Sequence, residues 1–211
     1  MRIVFLGSPG VGKGVYAQLL AETYPWPHIS TGHLLREEIQ EGSIIGKKAE
    51  SFMLQGKLVP DIIVIELLRK RLAESDAKNG FFLDGFPRTL EQARELDGIT
   101  KIDKVINFEA DEEKIVHRLA GRLTCEECGK IHHASTGLKE DDPCEACGSP
   151  IYRREDDHES KVRARLHEYE NKTKPLIEYY LKMGKLVRIK HNEPIANSKE
   201  AFLAKVRPHL I

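Results

Sequence analysis

The chain has 211 residues, enough for one domain with a sizeable insertion and for a core that needs no disulfide staples. Hydrophobic residues make up 40% and charged residues 31%, which excludes an intrinsically disordered chain. The formal net charge is zero, which argues against binding nucleic acid through a global positive charge. The longest apolar stretch, 62–68, is too short to span a bilayer, and no leader-like segment opens the chain, so we expect a cytoplasmic protein.

The first predicted elements are a strand, a glycine-rich turn and a helix. The apolar run 2–6 predicts a buried strand, and apolar spacing predicts a helix from about 13 to 23. Between them, segment 7–14 fits the G-x-x-x-x-G-K fingerprint of loops whose backbone N–H groups bind phosphate. The fingerprint continues with Ser or Thr, whose hydroxyl reaches Mg²⁺, but position 14 here is Gly.

The middle of the chain alternates helices with strands. Ser30 can cap a helix, and Gly42 can end it. Four helices are predicted here: one that starts near Thr31, one over about 43–55, one that starts at Asp61, and one over 111–120. The predicted strands are 81–83 and 105–108. Strands that alternate with helices imply a parallel sheet covered on both faces.

The last third contains a long helix, a strand and a further helix. Asp156-x-x-Glu159 resembles a capping box for the long helix, which Pro175 should kink or break. The last predicted strand is 186–189, and the last predicted helix is 197–206.

Four cysteines lie within 23 residues and predict a metal site. Cys125-x-x-Cys128 and Cys144-x-x-Cys147, with 15 residues between the pairs, match the spacing of a four-thiolate zinc site. Two disulfides or four idle thiols are the alternative. Segment 122–154 has few large apolar residues, and a metal would compensate for that deficit. Four protein ligands leave no position for a reacting water, so we predict a structural zinc.

The loop with glycine after its lysine resembles that of the adenylate kinases, a family of nucleoside monophosphate kinases. Further segments resemble the family's motifs, in the family's order: 28–36, 56–61, 82–92, 121–122, 154–157 and 162–166. The cysteine segment is similar to the zinc-bearing lid of some members, so the resemblance covers essentially the whole chain.

The resemblance implies an α/β P-loop fold of three layers with a central parallel sheet of about five strands. It implies a helical insert that binds the nucleoside monophosphate and a small β-rich zinc-binding lid. The implied parts are a core of 1–29, 60–121 and 158–211, an AMP-binding insert of 30–59 and a lid of 122–157. Both inserts should swing onto the core, as is known for the family, about hinges at 121–122 and 155–157.

The implied reaction is the reversible, Mg²⁺-dependent transfer of the terminal phosphoryl group from ATP to AMP, giving two ADP. The implied partners are these three nucleotides, with Mg²⁺ and a structural Zn²⁺, no nucleic acid, no membrane and a monomeric chain. A kinase for CMP, UMP or GMP is one alternative. A low-activity paralogue is another, because Val15 and His33 stand where the family usually has Thr and Asp. A zinc-ribbon binding module is disfavoured, because its cysteine segment is acidic.

Phosphoryl transfer needs two polyphosphates held in line with their charge neutralised, and guanidinium forks suit phosphate oxygens. By resemblance, the ATP-binding residues are Gly10, Val11, Gly12, Lys13, Gly14, Val15, Arg118, Arg122 and His133. The AMP-binding residues are Thr31, Arg36, Lys57, Val59, Gly85, Arg88, Gln92, Arg154 and Arg165. The catalytic residues are Lys13, Arg88, Arg122, Arg154 and Arg165, and Asp84 anchors Mg²⁺ waters. For His132, two interpretations stay open: it is a surface residue or a metal ligand.

Overall fold

A parallel sheet forms the centre of the molecule in the computed structural model, which describes residues 1–193 and 195–210. The strands are β1 (Arg2–Leu6), β2 (His28–Ser30), β3 (Phe81–Asp84), β4 (Lys104–Glu109), β5 (Arg122–Cys125), β6 (Ile131–His133), β7 (Ile151–Tyr152) and β8 (Leu186–Lys190). The central sheet has the order β2-β3-β1-β4-β8, and every pair in it is parallel. The five-stranded parallel sheet is confirmed.

Helices cover both faces of this sheet. They are α1 (Lys13–Thr23), α2 (Thr31–Gln40), α3 (Ile44–Leu54), α4 (Asp61–Leu72), α5 (Leu90–Ile99), α6 (Glu112–Ala120), α7 (Glu159–Glu168), α8 (Pro175–Lys182) and α9 (Ile195–Val206). Alternate residues of a strand point to opposite faces. Accordingly, Val4 and Leu6 of β1 pack with residues of α4, α5 and α8, whereas Ile3 and Phe5 pack with residues of α1 and α9. Three layers therefore enclose two apolar clusters.

The carboxyl ends of the central strands meet at one edge, where open α/β sheets bind ligands. In the register of β1 and β3, Phe5 lies beside Asp84, so the loop after β1 starts next to that carboxylate. Gly7 begins this loop with φ +137°, and a Cβ there would lie 2.6 Å from the Phe108 carbonyl oxygen of β4. Only glycine allows this close passage between the strands.

A second, antiparallel sheet in the order β6-β5-β7 forms the lid, the name we give to residues 122–157. Its apolar cluster is small: Leu123 and Ile151 are buried together with Cys125 and Cys144. The small β-rich unit expected from the sequence is confirmed. Within residues 1–193 and 195–210, no helix combines the length and the apolar character needed to cross a membrane.

Some local predictions need correction. The strand β2 and the helix α5 were not predicted from the pattern. The capping box was wrong: the N-cap residue of α7 is His158, and Asp156 lies in a 3₁₀ turn, where its carboxylate pairs with Arg165 at 2.9 Å. The Asp156 carboxylate thus binds the guanidinium of Arg165 and not the backbone N–H groups at the start of α7. The break at Pro175 is confirmed, because α8 begins there after a π-helical turn, Tyr169–Thr173.

Candidate active site

A cleft of about 1300 Å³ opens at the carboxyl edge of the central sheet, between the loop after β1, the α2–α4 segment and the lid. One small-molecule ligand typically occupies roughly 300–1,000 Å³. The cleft therefore has room for more than one such ligand. The residues predicted for nucleotide binding that line it are Gly10, Gly12, Lys13, Gly14, Val15, Thr31, Arg36, Lys57, Val59, Asp84, Gly85, Arg88, Gln92, Arg118, Arg122, His133, Arg154 and Arg165.

Val11 is the predicted residue that the structure places elsewhere. Its side chain is 1% exposed and packs in the core, and its backbone N–H donates to the Ser8 carbonyl at 3.2 Å. The turn that closes the loop thus uses the N–H that was expected to face phosphate.

Lys13 lies at the start of α1 with its ammonium group folded over the loop. Its Nζ donates to the carbonyl oxygens of Gly7 at 2.7 Å and Ser8 at 2.9 Å. Burial, together with the charge of Arg88 and against that of Asp84, lowers the pKa of Lys13 to about 8. Because burial and neighbouring arginines disfavour the positive charge of Lys13, any anion that enters the cleft stabilises that charge.

Asp84 ends β3 and is the carboxylate nearest the loop. Burial by itself raises the pKa of the Asp84 carboxyl, but the imidazole of His28, 3.6 Å away, and the charge of Lys13 lower it below its usual value. A Cβ on residue 14 would lie 3.5 Å from the Asp84 Oδ2 atom and 2.8 Å from the Cδ1 atom of Ile131. The lid therefore packs onto the point where the P-loop fingerprint has a hydroxyl.

The loop after β3 holds the residues predicted for the acceptor phosphate. Gly85 has φ +82°, and its carbonyl oxygen accepts from Arg88 Nε at 2.8 Å and from Thr31 Oγ1 at 2.9 Å. Burial, followed by the charge of Arg165, lowers the pKa of Arg88. Lys57 differs from these residues, because it is exposed and its ammonium group donates to a neighbouring glutamine side chain.

Gln92 is buried behind this loop, with its side-chain amide held on two sides. Its Oε1 atom accepts from the backbone N–H of Arg88 at 2.7 Å, and its Nε2 atom donates to Asp61 Oδ1 at 2.7 Å. Asp61 Oδ2 also accepts from Thr89 Oγ1 at 2.9 Å. Sequence reasoning identified Asp61 as the first residue of a helix and as the end of the family-like segment 56–61, but it missed the link to Gln92.

Carboxylates at the end of the lid hold the arginines at its two margins. The Arg122 guanidinium binds Asp157 through two contacts, one of them from Nε to Oδ2 at 2.7 Å. Arg165 Nη1 lies 3.0 Å from Asp157 Oδ1 and 2.9 Å from Asp156 Oδ2. The two margins of the lid are thereby tied to each other and to α7. The sequence indicated the hinge here but not this charge balance.

Arg154 is the most buried arginine of the cleft, with 8% of its surface exposed. Its Nε donates to Thr124 Oγ1 in β5 at 2.7 Å. Burial, then the charges of Arg36 and Arg122, lower the pKa of Arg154 well below its usual value. Guanidinium groups from the lid and from α2 thus repel one another across a cleft from which water is partly excluded. This arrangement favours the binding of a polyanion.

The remaining wall lies between α6, the lid and the segment after β8. Arg118 donates to the Val11 carbonyl oxygen at 2.7 Å and to the carbonyl oxygens of His191 and Glu193. The ring of His133 stacks on that of His117, with centroids 5.0 Å apart and planes inclined by 25°. This wall offers flat surfaces and a guanidinium, the features on which a base can stack.

The four cysteine sulfurs form a cluster in which all lie within 4.8 Å of one another. The Sγ–Sγ distances are 3.4 Å for Cys125 and Cys147 and 3.8 Å for Cys128 and Cys144, far beyond the roughly 2.05 Å of a disulfide. Tetrahedral zinc with Zn–S bonds of about 2.3 Å separates its sulfurs by about 3.8 Å. The cluster is therefore compatible with a structural zinc.

His132 is neither a surface residue nor part of this cluster. It is 8% exposed, and its Nε2 atom lies 3.4 Å from the Sγ atom of Cys144. This ring nitrogen is therefore within reach of a sulfur of the cluster, and contacts of this kind support the ligands of metal sites.

The two departures from the family pattern lie at the cleft. Val15 lines it near the loop. The His33 imidazole is 3.4 Å from Glu37, and its ring would contact a Cβ on Gly129 of the lid. Burial, followed by the charge of Arg36 and against that of Glu37, lowers the pKa of His33. His33 is thus a neutral side chain below the lid.

Together, the parallel sheet with its phosphate loop, the convergent cations and the covering lid define a P-loop phosphotransferase with room for two nucleotides. Comparison with known proteins agrees with this class. The adenylate kinase family model matches residues 5–185.

The chain is 46% identical to an adenylate kinase of Caldicellulosiruptor saccharolyticus over 96% of this chain and 97% of the other. It is 44% identical to one of Archaeoglobus fulgidus over 98% and 100%, and 47% identical to one of Thermosipho africanus over 90% and 91%. The chain belongs to the adenylate kinase family, and it is an ATP:AMP phosphotransferase that binds ATP, AMP and ADP. This activity implies Mg-ATP as the donor.

Proposed function

We propose that the cleft holds ATP against the loop after β1 and AMP against the loop after β3, with the lid arginines between the two nucleotides. The observation that carries this proposal is that cationic side chains from the core, the 30–59 segment and the lid converge on one cleft while lowering each other's pKa. Such a set stabilises charge that moves from one phosphate to another.

In the proposed reaction, an oxygen of the AMP phosphate forms a bond to the γ-phosphorus of ATP. The bond from that phosphorus to its bridging oxygen breaks, and ADP leaves with the electron pair. The attacking phosphate is already anionic near neutral pH, since its second pKa is about 6, so no side chain has to act as a base. Positioning and neutralisation are the tasks of the protein.

We assign these tasks to six cationic residues. Lys13 neutralises the phosphate that is transferred, and Arg88 orients the acceptor phosphate. The lid arginines Arg122 and Arg154, together with Arg165 of α7, bridge both nucleotides. Arg36 assists Arg88, because it lies in the same cleft and Arg165 repels both of them.

The remaining nucleotide-binding residues are assigned to the two ends of the cleft. Around the AMP base we place Thr31, Val59 and Gln92, and elsewhere around AMP we place Lys57 and Gly85. Around ATP we place the loop glycines, Val15, Arg118 and His133. Turnover should survive the change at position 15, since a helix start binds phosphate through backbone N–H groups, which valine retains.

Asp84 is the residue proposed to hold the magnesium ion of Mg-ATP, through water. Its carboxylate is ionised and lies beside Lys13, and magnesium usually keeps several waters and needs only one or two carboxylates. The ion supplies charge neutralisation to the phosphates when bound. The protein's part is to fix the carboxylate at the end of β3.

The four-cysteine cluster is proposed to hold zinc for structure. A lid with so small an apolar cluster needs such a cross-link. We further propose a cytoplasmic location, because four thiolates require a reducing compartment, and a monomer, because one chain supplies both halves of the cleft. Nucleic acid is not proposed as a partner, since the net charge is zero.

We also propose that 1–29, 60–121 and 158–211 form the core, and that 30–59 and the lid move onto it when nucleotides bind. A coupled assay with AMP, CMP, UMP and GMP in turn tests the acceptor. Preference for AMP, together with loss of turnover in Arg88→Ala but not in Lys57→Ala, supports the assignment. Near-normal turnover of Arg88→Ala contradicts it.

A further inference from the structure

The orientation of the Gln92 amide is fixed by partners of opposite kind. The backbone N–H of Arg88 can only donate, so the atom that faces it must be the amide oxygen. The carboxylate oxygen of Asp61 acts as an acceptor, so the atom that faces it must be the amide nitrogen. Rotating the amide by 180° would bring donor against donor and acceptor against acceptor.

The carboxylate that fixes this orientation is itself held in place. Asp61 begins α4, and its second oxygen accepts the hydroxyl of Thr89 at 2.9 Å. The same hydroxyl caps α5 by accepting the backbone N–H of Gln92 at 3.1 Å. Gln92 is 2% exposed, so water cannot easily replace a partner that is lost. Three side chains and two helix starts therefore form one network.

An amide held in this way still has a second lone pair on its oxygen and a second N–H on its nitrogen. Adenine presents an N6 amino donor beside the N1 acceptor, whereas guanine presents an O6 acceptor beside an N1 donor. A freely rotating amide could turn to match either base, and a fixed amide matches only one of them in a given pose.

We propose that Asp61 is a positioning residue that gives this enzyme its preference for AMP over GMP, because it fixes the orientation of the Gln92 amide. The inference rests on the proposed function, in which the acceptor base lies at Gln92. A site built to hydrogen-bond one pattern rejects the other because the mismatched groups stay buried and unpaired.

The test compares four variants with the unaltered protein. Asp61→Leu removes the acceptor, and Asp61→Asn keeps an oxygen for Gln92. Gln92→Leu tests whether the amide is used at all. Glu91→Ala is the matched control, because it removes an exposed acidic residue from the first turn of a neighbouring helix. The readouts are kcat/KM for AMP and for GMP, KM for ATP, thermal unfolding and calorimetric binding of AMP alone.

We expect Asp61→Leu to reduce kcat/KM for AMP by about 10- to 100-fold, to reduce that for GMP much less, and to leave KM for ATP within about twofold. Asp61→Asn should retain most of the preference, even if it unfolds at a lower temperature. If Asp61→Leu weakens AMP and GMP use equally while Gln92→Leu lowers the preference, Asp61 does not set it. If Gln92→Leu leaves the preference intact, the proposed site of the base is wrong, and the inference is wrong with it.

Discussion

Replacing Gly14 with threonine, the residue type that the P-loop fingerprint has there, should weaken catalysis in this enzyme. A Cβ at this position would lie 2.8 Å from the Cδ1 atom of Ile131, whereas carbon atoms pack at about 3.5–4.0 Å. Threonine adds two further heavy atoms beside the lid. Overpacking of this kind costs about 1–3 kcal/mol, and rotation of the terminal Cδ1 atom of Ile131 brings the cost toward the lower value. In the proposed lid movement, only the closed arrangement bears this cost. The closed population, and with it kcat/KM for ATP, should fall about 5- to 150-fold.

A second substitution separates lid contact from damage to the loop itself. Ile131→Ala removes the atom that the new side chain would meet, so Gly14→Thr combined with Ile131→Ala should recover most of the lost kcat/KM in a coupled assay. Ile131→Ala alone should raise ATP hydrolysis without AMP, because it uncovers the loop to water. Gly98→Thr is the matched control, since this helical glycine has open space around its Cβ position. A double variant as impaired as Gly14→Thr would refute the reasoning.

Four further predictions concern the cations and the metal. Lys13→Met and Arg88→Ala should each lower kcat by at least about 100-fold, since their contacts strengthen as charge moves, whereas Lys57→Ala should change kcat less than about threefold in the same assay. Because the pKa of Lys13 is lowered to about 8, its positive charge is lost as the pH rises through that value. Therefore kcat/KM for ATP, which reports the free enzyme, should decline roughly tenfold per unit above about pH 8, and a flat profile to about pH 9.5 would contradict this. Chelation should lower the unfolding temperature before it lowers activity. His132→Ala should weaken zinc binding about 10- to 100-fold in competition with a chelator, whereas His133→Ala should not. Equal zinc affinity in both variants would show that the contact with Cys144 is incidental.

The larger elements of this fold could be predicted from the sequence because each carries its own signal. The loop after β1 has a spaced set of glycines, and the strands 81–84 and 104–109 are short apolar runs bounded by turns. The missed strand His28–Ser30 has only one fully buried residue, and its extended form comes from pairing with β3. The missed helix α5 buries a glutamine, so its apolar stripe is weak. Contacts with other elements stabilise this strand and this helix, and such contacts leave no local pattern in the sequence.

The candidate site likewise has one part that could be predicted from the sequence and one part that could not. Motif spacing predicted which residues line the cleft, because a phosphate loop and the ends of parallel strands have fixed places in such a sheet. It could not predict that Asp157 pairs with Arg122, or that Asp61 holds Gln92, because these contacts join segments 35 and 31 residues apart through side chains. Val11 was assigned to ATP binding from its place in the motif, and the turn in which its N–H binds Ser8 leaves no mark in the sequence.

The charge distribution of the cleft gives a physical reason for the proposed closure of the lid to depend on nucleotides. Arg154 belongs to the lid, Arg36 and Arg88 belong to the segments below it, and burial of each lowers its pKa. Their mutual repulsion favours separation of the lid from the core. Asp156 and Asp157 offset part of this charge, but they hold Arg122 and Arg165 at the margins and leave the centre positive. Two bound polyphosphates would reverse the sign of the interaction at that centre. A ligand shifts an equilibrium only through its different affinity for the two states, and this arrangement supplies that difference where the phosphoryl group is transferred.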